Sequence, residues 1–307
     1  MASGTISTGS LPRLLQEGVA NVFGNELKQH DRKWDKMFMT NQSSKAFEVD
    51  VQLEGFNRAS SKPEGDDITF DSRQQGFTPK YIHTTFAKGY IVTEEALEDE
   101  LYGQLNDGAR ALARVMNITK ELEGAAVYNN GFDATVLMTD GDGQPLFSTA
   151  HSNGPSGGTY SNRLTVDADL SEAALEDLLI QIQTIQDARG LPAALQAMRL
   201  LVAPANSFEA QRILGSVLQN DTGNNATNAV RDMNAVRDGF MSNPFLTDTD
   251  AWFLTTDAPH GMKYYTRRGV RFGQDNAFTS GNARFKADER YDFGWSDGRG
   301  SFGSSGS

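Results

Sequence analysis

The longest periodic pattern in the chain runs from Thr93 to about Asn129. There Leu97, Leu101, Leu105, Ala109, Leu112, Met116, Leu122 and Ala126 recur at steps of three, four or six and trace one apolar stripe. The pattern predicts a helix over 93–129, with Thr93 as N-cap and Asn129, Asn130 and Gly131 as its stop. Acidic residues crowd its first turns (Glu94, Glu95, Glu98, Asp99, Glu100) and Arg110, Arg114 and Lys120 follow, an order that suits the helix dipole. At full length it would be a beam of roughly 55 Å. Gly103, Gly108 and Gly124 interrupt it and the steps do not hold a strict heptad, so packing against a sheet is favoured over a coiled-coil arm.

Upstream, Phe47, Val49, Val51 and Leu53 alternate with Glu48, Asp50, Gln52 and Glu54, the period of a half-exposed strand. Ile68 and Phe70 begin a second alternating run after a polar stretch with Pro63 and Gly65, so 46–77 reads as a long hairpin with a charged tip. Residues 1–45 read as an arm with a short helix over about 11–23; Trp34, Met37 and Phe38 there need cover from their own domain or from a neighbour. A third strand region, 78–92 and broken near Gly89, leads into the long helix. Downstream come a helix over about 170–188 with Leu175, Leu178, Leu179, Ile182 and Ile185 inward, and a short strand at 200–203. A helix over 208–218 with Phe208, Ile213, Leu214 and Val217 inward follows, then strands at 252–254 and 284–295. This order predicts an α/β unit over about 165–272. From Gly298 the Gly and Ser content reads as a flexible tail.

With 307 residues the chain exceeds the size at which one core stops growing. Its 38% hydrophobic and 22% charged content and 30 glycines describe a globular, turn-rich protein. The absence of cysteine removes disulfides, thiolate metal sites and cysteine nucleophiles together. Neither a secretory signal nor a run able to span a bilayer is visible, so no membrane partner is expected. The net charge of -12 argues against affinity built on phosphate neutralisation, although both ends are mildly basic.

No catalytic constellation emerges. His30, His83, His151 and His260 sit in four separate segments and form no helical metal pair. His151 is the best lone acid-base candidate, with a structural role the better reading. Asp140 to Gly143 starts like a calcium loop but continues without the later ligands, so it reads as a β-turn. No phosphate loop or nucleophile elbow is present, and no cofactor or metal is expected.

Several stretches, taken in order, resemble a known family. They are Gly55-Phe56 with Lys62-Pro63-Glu64-Gly65, Gly89-Tyr90-Ile91-Val92-Thr93 before Leu97-Glu98-Asp99, and Pro145-Leu146-Phe147 with Ala150-His151. Leu201-Val202-Ala203-Pro204, Asp250-Ala251-Trp252-Phe253-Leu254 and Arg290-Tyr291-Asp292-Phe293-Gly294 complete the series. Over about 11–299 their order resembles the major capsid proteins of tailed bacteriophages with the Hong Kong 97-type fold, and among them the Mu-like major head subunits.

The resemblance implies an α+β chain with an N-terminal arm (1–45), an extended β-hairpin loop (46–77) and a peripheral domain (78–164) with spine helix 93–129. An α/β axial domain (165–272) and a return to the peripheral domain with a flexible tail (273–307) follow. It implies a non-enzymatic virion protein, assembled in the bacterial host cytoplasm, that forms pentamers and hexamers of an icosahedral head around double-stranded DNA. Expected partners are further copies of itself, a portal, a decoration protein and a separate scaffolding protein; some relatives carry an N-terminal scaffolding domain, which for a chain that begins at the arm would be a separate protein or already removed. Arg58, Lys62, Glu64, Asp66, Asp67, Trp34 and Phe38 are the expected inter-subunit contacts, and Leu97, Leu101, Leu105, Leu112 and Met116 the structural spine. Some members join a loop Lys to a neighbour's Asn; Lys62 has no assignable catalytic Glu, so no crosslink is expected. The competing readings are an encapsulin-like nanocompartment shell and a cytoplasmic α/β enzyme or binding protein.

Overall fold

A computed structural model of the chain describes residues 12–93, 95–96, 102–155, 157–219, 226–276 and 282–306. In chain order its elements begin with α1 (Pro12–Gln29), β1 (Met39–Gln42), β2 (Phe47–Val49), β3 (Lys80–Ile82), β4 (Thr84–Val92) and α2 (Tyr102–Asn129). Next come β5 (His151–Ser152), β6 (Thr159–Tyr160), α3 (Glu172–Thr184), β7 (Ala197–Val202), α4 (Ser207–Gly215) and α5 (Ala229–Asp232). The chain closes with β8 (Phe240–Ser242), β9 (Trp252–Thr256), β10 (Met262–Asn276), β11 (Ala283–Trp295) and β12 (Ser301–Ser304).

Two four-stranded sheets organise these elements, one in the order β1-β10-β11-β4 and the other β12-β9-β7-β8. In the first, β10 and β11 form a long antiparallel pair, with β4 antiparallel to β11 and β1 parallel to β10. Ala283, Phe285 and Ala287 of β11 point to one side, where they meet Leu112, Ala113 and Met116 of α2 and Val19 and Phe23 of α1. The long helix therefore packs on a sheet, and Ala109, Leu112 and Met116 are buried as the stripe predicts. Ala96 N donates to Thr93 Oγ1 at 3.3 Å, the bond of an N-cap. Leu97 and Leu101 lie outside the described residues, as does the side chain of Leu105. Leu122 corrects the stripe: it is exposed, on the opposite side of the helix. Two glycines in α2 mark close crossings. A Cβ on Gly108 would stand 2.8 Å from the Tyr90 ring, and one on Gly124 would stand 3.1 Å from Trp34 Cβ.

The second sheet is buried on both faces. Leu200, Val202, Trp252 and Leu254 pack beneath α3 and α4. Leu201, Phe253 and Met241 face the other way, toward Phe38, Tyr128 and Phe147. Ser171 caps α3 by accepting from Ala174 N at 3.2 Å, and Leu175, Leu178, Leu179, Ile182 and Ile185 are buried as expected. In α4 Ile213 is buried, but Phe208 and Val217, expected inward, are exposed because the helix ends at Gly215 and shows the sheet only one short face.

Three further expectations are corrected. The strand β10 was not anticipated, and the expected boundary at 272 falls inside it: register shifts between Thr266 and Arg271 break its two-residue period. The break in 78–92 falls at His83, between β3 and β4, while Gly89 lies within β4. The tail is not free. Ser301–Ser304 pairs with β9 as an edge strand of the second sheet, with Phe302 wholly buried. Its small residues fit because a Cβ on Gly303 would stand 2.8 Å from the Phe253 ring, so the composition of a linker serves close packing.

Candidate functional site

The acid-base candidates resolve into structural bonds. His151 is buried, its Nδ1 2.6 Å from Asp142 Oδ2 and its Nε2 3.2 Å from Leu146 O, and its ring stacks on Tyr160 at 5.1 Å. Tyr160 donates to Asp297 Oδ1 at 2.9 Å while Arg299 lies 3.8 Å over its ring. The Asn162 amide reaches Leu146 O at 2.6 Å, Gly298 O at 2.8 Å and Ser301 O at 3.0 Å. With both imidazole nitrogens engaged and no hydroxyl among their partners, this knot lacks a free base and a nucleophile. It ties the loop after α2 to the last strand. Asp142 thus serves His151, and the β-turn expected over 140–143 falls two residues earlier, at Met138–Gly141, where Gly141 N donates to Met138 O at 3.1 Å. His83 meets Ser43 Oγ at 2.9 Å, His260 meets Asp50 at 3.3 Å and His30 meets Glu121 at 3.3 Å. Among the described residues no group of three His, Asp or Glu could hold a metal ion, and no helix is long and apolar enough to cross a membrane.

The arm is latched inside its own chain. Lys33 N and Trp34 N donate to the two Glu121 oxygens at 2.8 and 3.1 Å, so one buried carboxylate on α2 satisfies the start of the short helical turn at Trp34–Lys36. The Trp34 ring lies 4.5 Å from that of Tyr264, and Phe38 lies 4.9 Å from Phe293. Trp34 and Phe38, expected as contacts to a neighbour, are therefore buried against α2 and the first sheet, because Glu121 and this aromatic cluster offer them a complete internal site. Beneath them Lys120 pairs with the buried Glu289, under the rings of Trp34 and Tyr291. Glu121 and Glu289 carried no sequence signal, since buried charge is visible only once its partners are in place.

The hairpin is the part that projects. Its returning arm is not Ile68–Phe70 but the chain after Gln74, for Leu53 bridges Gln75, Gln52 N donates to Phe77 O at 3.0 Å and Phe47 pairs with Ile82. Ile68 and Phe70 belong to the tip, where Arg58, Lys62, Glu64, Asp66 and Asp67 are all exposed. Asp71, held below the usual carboxylate range by the Asn57 N–H, braces the tip across its width at 2.7 Å. At the base Arg189 approaches the buried Glu54 at 3.4 Å, Lys263 binds Asp50, and the Gln52 amide donates to Ser296 O. These bonds hold one face. The other carries Phe47, Val49, Val51 and Leu53 at 44, 43, 43 and 50% exposure, an apolar ribbon that the described residues leave half open.

A second outward apolar feature lies on α2, where Val115, Ile118 and Leu122 are 42, 42 and 50% exposed and Ala111 continues the row. Its 4-3-4 spacing was legible in the sequence, but the inward stripe on the same helix took precedence. Beside it a groove runs between α2 and the first sheet, lined by Ile82, Phe86, Glu123, Val136, Leu137 and Asp292. Burial raises the Glu123 carboxyl above its ordinary range. Burial first, and then Glu123, push Asp292 up to about 6, although it accepts from Ile82 N at 2.8 Å.

Comparison with known proteins places these features. The model of a family described as phage capsid protein matches residues 78–302. No curated protein matches by sequence. Among solved structures, the virus-like particle of Pyrococcus furiosus is similar with a TM-score of 0.52 at 10% identity, covering 94% of this chain and 98% of that one. The procapsid protein of bacteriophage JBD30 gives 0.52 at 14% identity, covering 97% of this chain and 76% of that one. The capsid of the myovirus XM1 gives 0.51 at 10% identity, covering 90% and 91%.

Proposed function

The chain belongs to the phage capsid protein family, and we propose on that premise that it closes, as pentamers and hexamers, into an icosahedral head around double-stranded DNA. It is a structural, non-enzymatic virion protein with the Hong Kong 97-type fold. The observation that carries the finer reading is the hairpin. Its base is bonded to its own chain on one face, while Phe47, Val49, Val51 and Leu53 stand open on the other. A hairpin with a bare apolar face needs a partner surface.

In this reading residues 1–45 are the arm, 46–77 the extended loop, 78–164 the peripheral domain and 165 up to the start of β10 the axial domain, with β10 and β11 returning to the periphery and Ser301–Ser304 completing the second sheet. Scaffold, portal and decoration proteins are separate partners, and assembly takes place in the host cytoplasm. The tip residues Arg58, Lys62, Glu64, Asp66 and Asp67 meet a neighbour through exposed pairs of about 0 to 1 kcal/mol each, terms that multiply around a closed shell. Lys62 forms no covalent link, so mature particles run as one band near 33.5 kDa.

Expression with scaffold and protease, followed by electron microscopy, tests the reading. Closed shells are expected, and deleting residues 57–66 with a glycine bridge should leave folded subunits without shells. A protein that stays monomeric at high concentration by light scattering would sink it. A compartment that holds protein cargo is the second reading, favoured by the likeness to the Pyrococcus furiosus particle; nucleic acid content of the shells separates the two.

A further inference from the structure

We propose that the face of the first sheet turned away from α2, lined by Arg268, Arg271, Arg284, Lys286 and Arg290, binds the phosphate backbone of the nucleic acid held in the shell. The inference rests on the shell reading above and names the surface that touches the contents.

The chain is acidic overall but mildly basic at its C-terminal end, and the sheet gathers that excess on one side. On β11, Ala283, Phe285 and Ala287 turn to α1 and α2, so alternation sends Arg284, Lys286, Asp288 and Arg290 to the opposite face. Arg268 and Arg271 of β10 are three residues apart and in a regular strand would point to opposite sides. The register shifts between Thr266 and Arg271 bring both to Asp288. Asp288 is buried and accepts from Arg268 and from Arg271, the latter at 3.1 Å, which fixes both guanidinium groups. Arg268 stands opposite Arg290 in the register, a like-charge pair that an anion relieves. Lys286 lies across Gly273, where a Cβ would stand 3.4 Å from its Cε. Arg271, Arg284 and Lys286 are exposed, and the row from Arg284 to Arg290 is about 20 Å long.

An acidic protein surface is the competing partner. Protein interfaces are built around a buried apolar or aromatic centre. Here the centre is charged, and β4 adds Thr85, Ala87, Gly89 and, at one corner, Ile91. With no aromatic platform on these strands' outer face, bases have nothing to stack on, so the contact is with the backbone and independent of sequence. Arginine predominates, and its planar fork matches phosphate oxygens. The net charge of -12 repels nucleic acid elsewhere on the chain, which keeps the contact local and weak.

Lys286 reports on the contact directly. Its acylation by a small succinimidyl ester, read by peptide mass spectrometry, should be about fivefold lower in filled shells than in shells emptied of nucleic acid, where the counterions have returned. Equal acylation in both would place the face away from the contents, and equal protection in both would place it under another subunit; either overturns the proposal. In solution, binding of the unassembled chain to a short labelled duplex, followed by fluorescence anisotropy, should weaken by about three decades per decade of salt, since Asp275 and Asp288 offset part of the five cations. Arg284→Gln combined with Lys286→Gln should lower that slope by about two and leave the melting midpoint unchanged, because both side chains are exposed. Arg58→Gln combined with Lys62→Gln, equally exposed on the hairpin tip, should leave the slope as it is. An unchanged slope in the sheet variant, no binding at low salt, or tighter binding of poly-L-glutamate than of the duplex would overturn the proposal, the last in favour of an acidic protein. Wild-type protein without shells would overturn the shell reading itself, a result distinct from the others.

Discussion

Replacing Glu121 with Ala should release the arm. The carboxylate is buried and accepts from Lys33 N at 2.8 Å and Trp34 N at 3.1 Å, with His30 3.3 Å away. A hydrogen bond to a charged group contributes about 1.5 to 3 kcal/mol, and an orphaned buried N–H costs a similar amount. The two bonds share one acceptor group and are not additive, so a net loss of about 2 to 4 kcal/mol is expected. Glu121→Gln keeps one acceptor oxygen without the charge and should lose about half as much. Because Trp34 packs on Tyr264 and shields the Lys120–Glu289 pair, the loss should appear first as local opening. Denaturant melts of the subunit give the magnitude, and limited trypsin digestion gives the location, at Arg32, Lys33 and Lys36. A variant with the wild-type midpoint and no faster cleavage there would refute the latch.

Leu112→Ala, at the junction of α1, α2 and β11, should cost about 2 to 5 kcal/mol by lost transfer energy and an incompletely closed cavity; the midpoint of chemical unfolding measures it. Phe302→Ala should cost about 3 to 5 kcal/mol, since the side chain is wholly buried beneath α3, and an unchanged melting curve would return the last strand to the status of a tail. Asp292 has a folded pKa raised to about 6 from 3.8, so the folded state binds its proton more tightly than the unfolded state does. Its unfavourable contribution is therefore complete above about pH 6, and it fades as pH falls toward 3.8, by at most about 3 kcal/mol. Relative to Asp292→Asn, the wild type should gain stability on acidification across that window; parallel melting profiles of the two proteins would show that the carboxyl is unperturbed.

Much of the fold was legible wherever one periodicity ruled a segment. Helix α3 has one apolar face, and it is where the spacing puts it, although the helix is shorter than expected and starts at a Ser171 cap that the spacing does not mark. The strand β9 is a short apolar run buried on both faces, as such runs usually are. Legibility failed where two demands shared a segment. Helix α2 is apolar on its sheet side and, from Ala111 to Leu122, apolar on its outer side as well, so Leu122 was assigned to the wrong stripe. The strand β10 loses its alternation to bulges, and β12 hides in a composition of Gly and Ser whose smallness is needed under Phe253 and Phe147. The arm's aromatic residues had two sequence-level outcomes, self-cover or neighbour. Only the position of Glu121, 87 residues from Trp34, decides between them.

That decision changes which surfaces remain for assembly. With Trp34 and Phe38 internal, Phe47, Val49, Val51 and Leu53 of the hairpin and Val115, Ile118 and Leu122 of α2 stay half open on elements whose other face is already bonded to the subunit, beside more exposed residues elsewhere such as Phe70, Val166 and Phe208. Covering seven half-exposed apolar side chains yields roughly 5 to 8 kcal/mol gross, against an association cost of about 4 to 15 kcal/mol. One such contact is therefore close to neutral, and charged pairs at tip and base tip the balance only slightly. In a ring each added subunit makes contacts on two sides, and the last closes one without a further translational cost, so the same surfaces that are weak between two copies become decisive in a closed assembly. An arm that exposed Trp34 and Phe38 would have made the first contact strong and the subunit adhesive before its partners were in register.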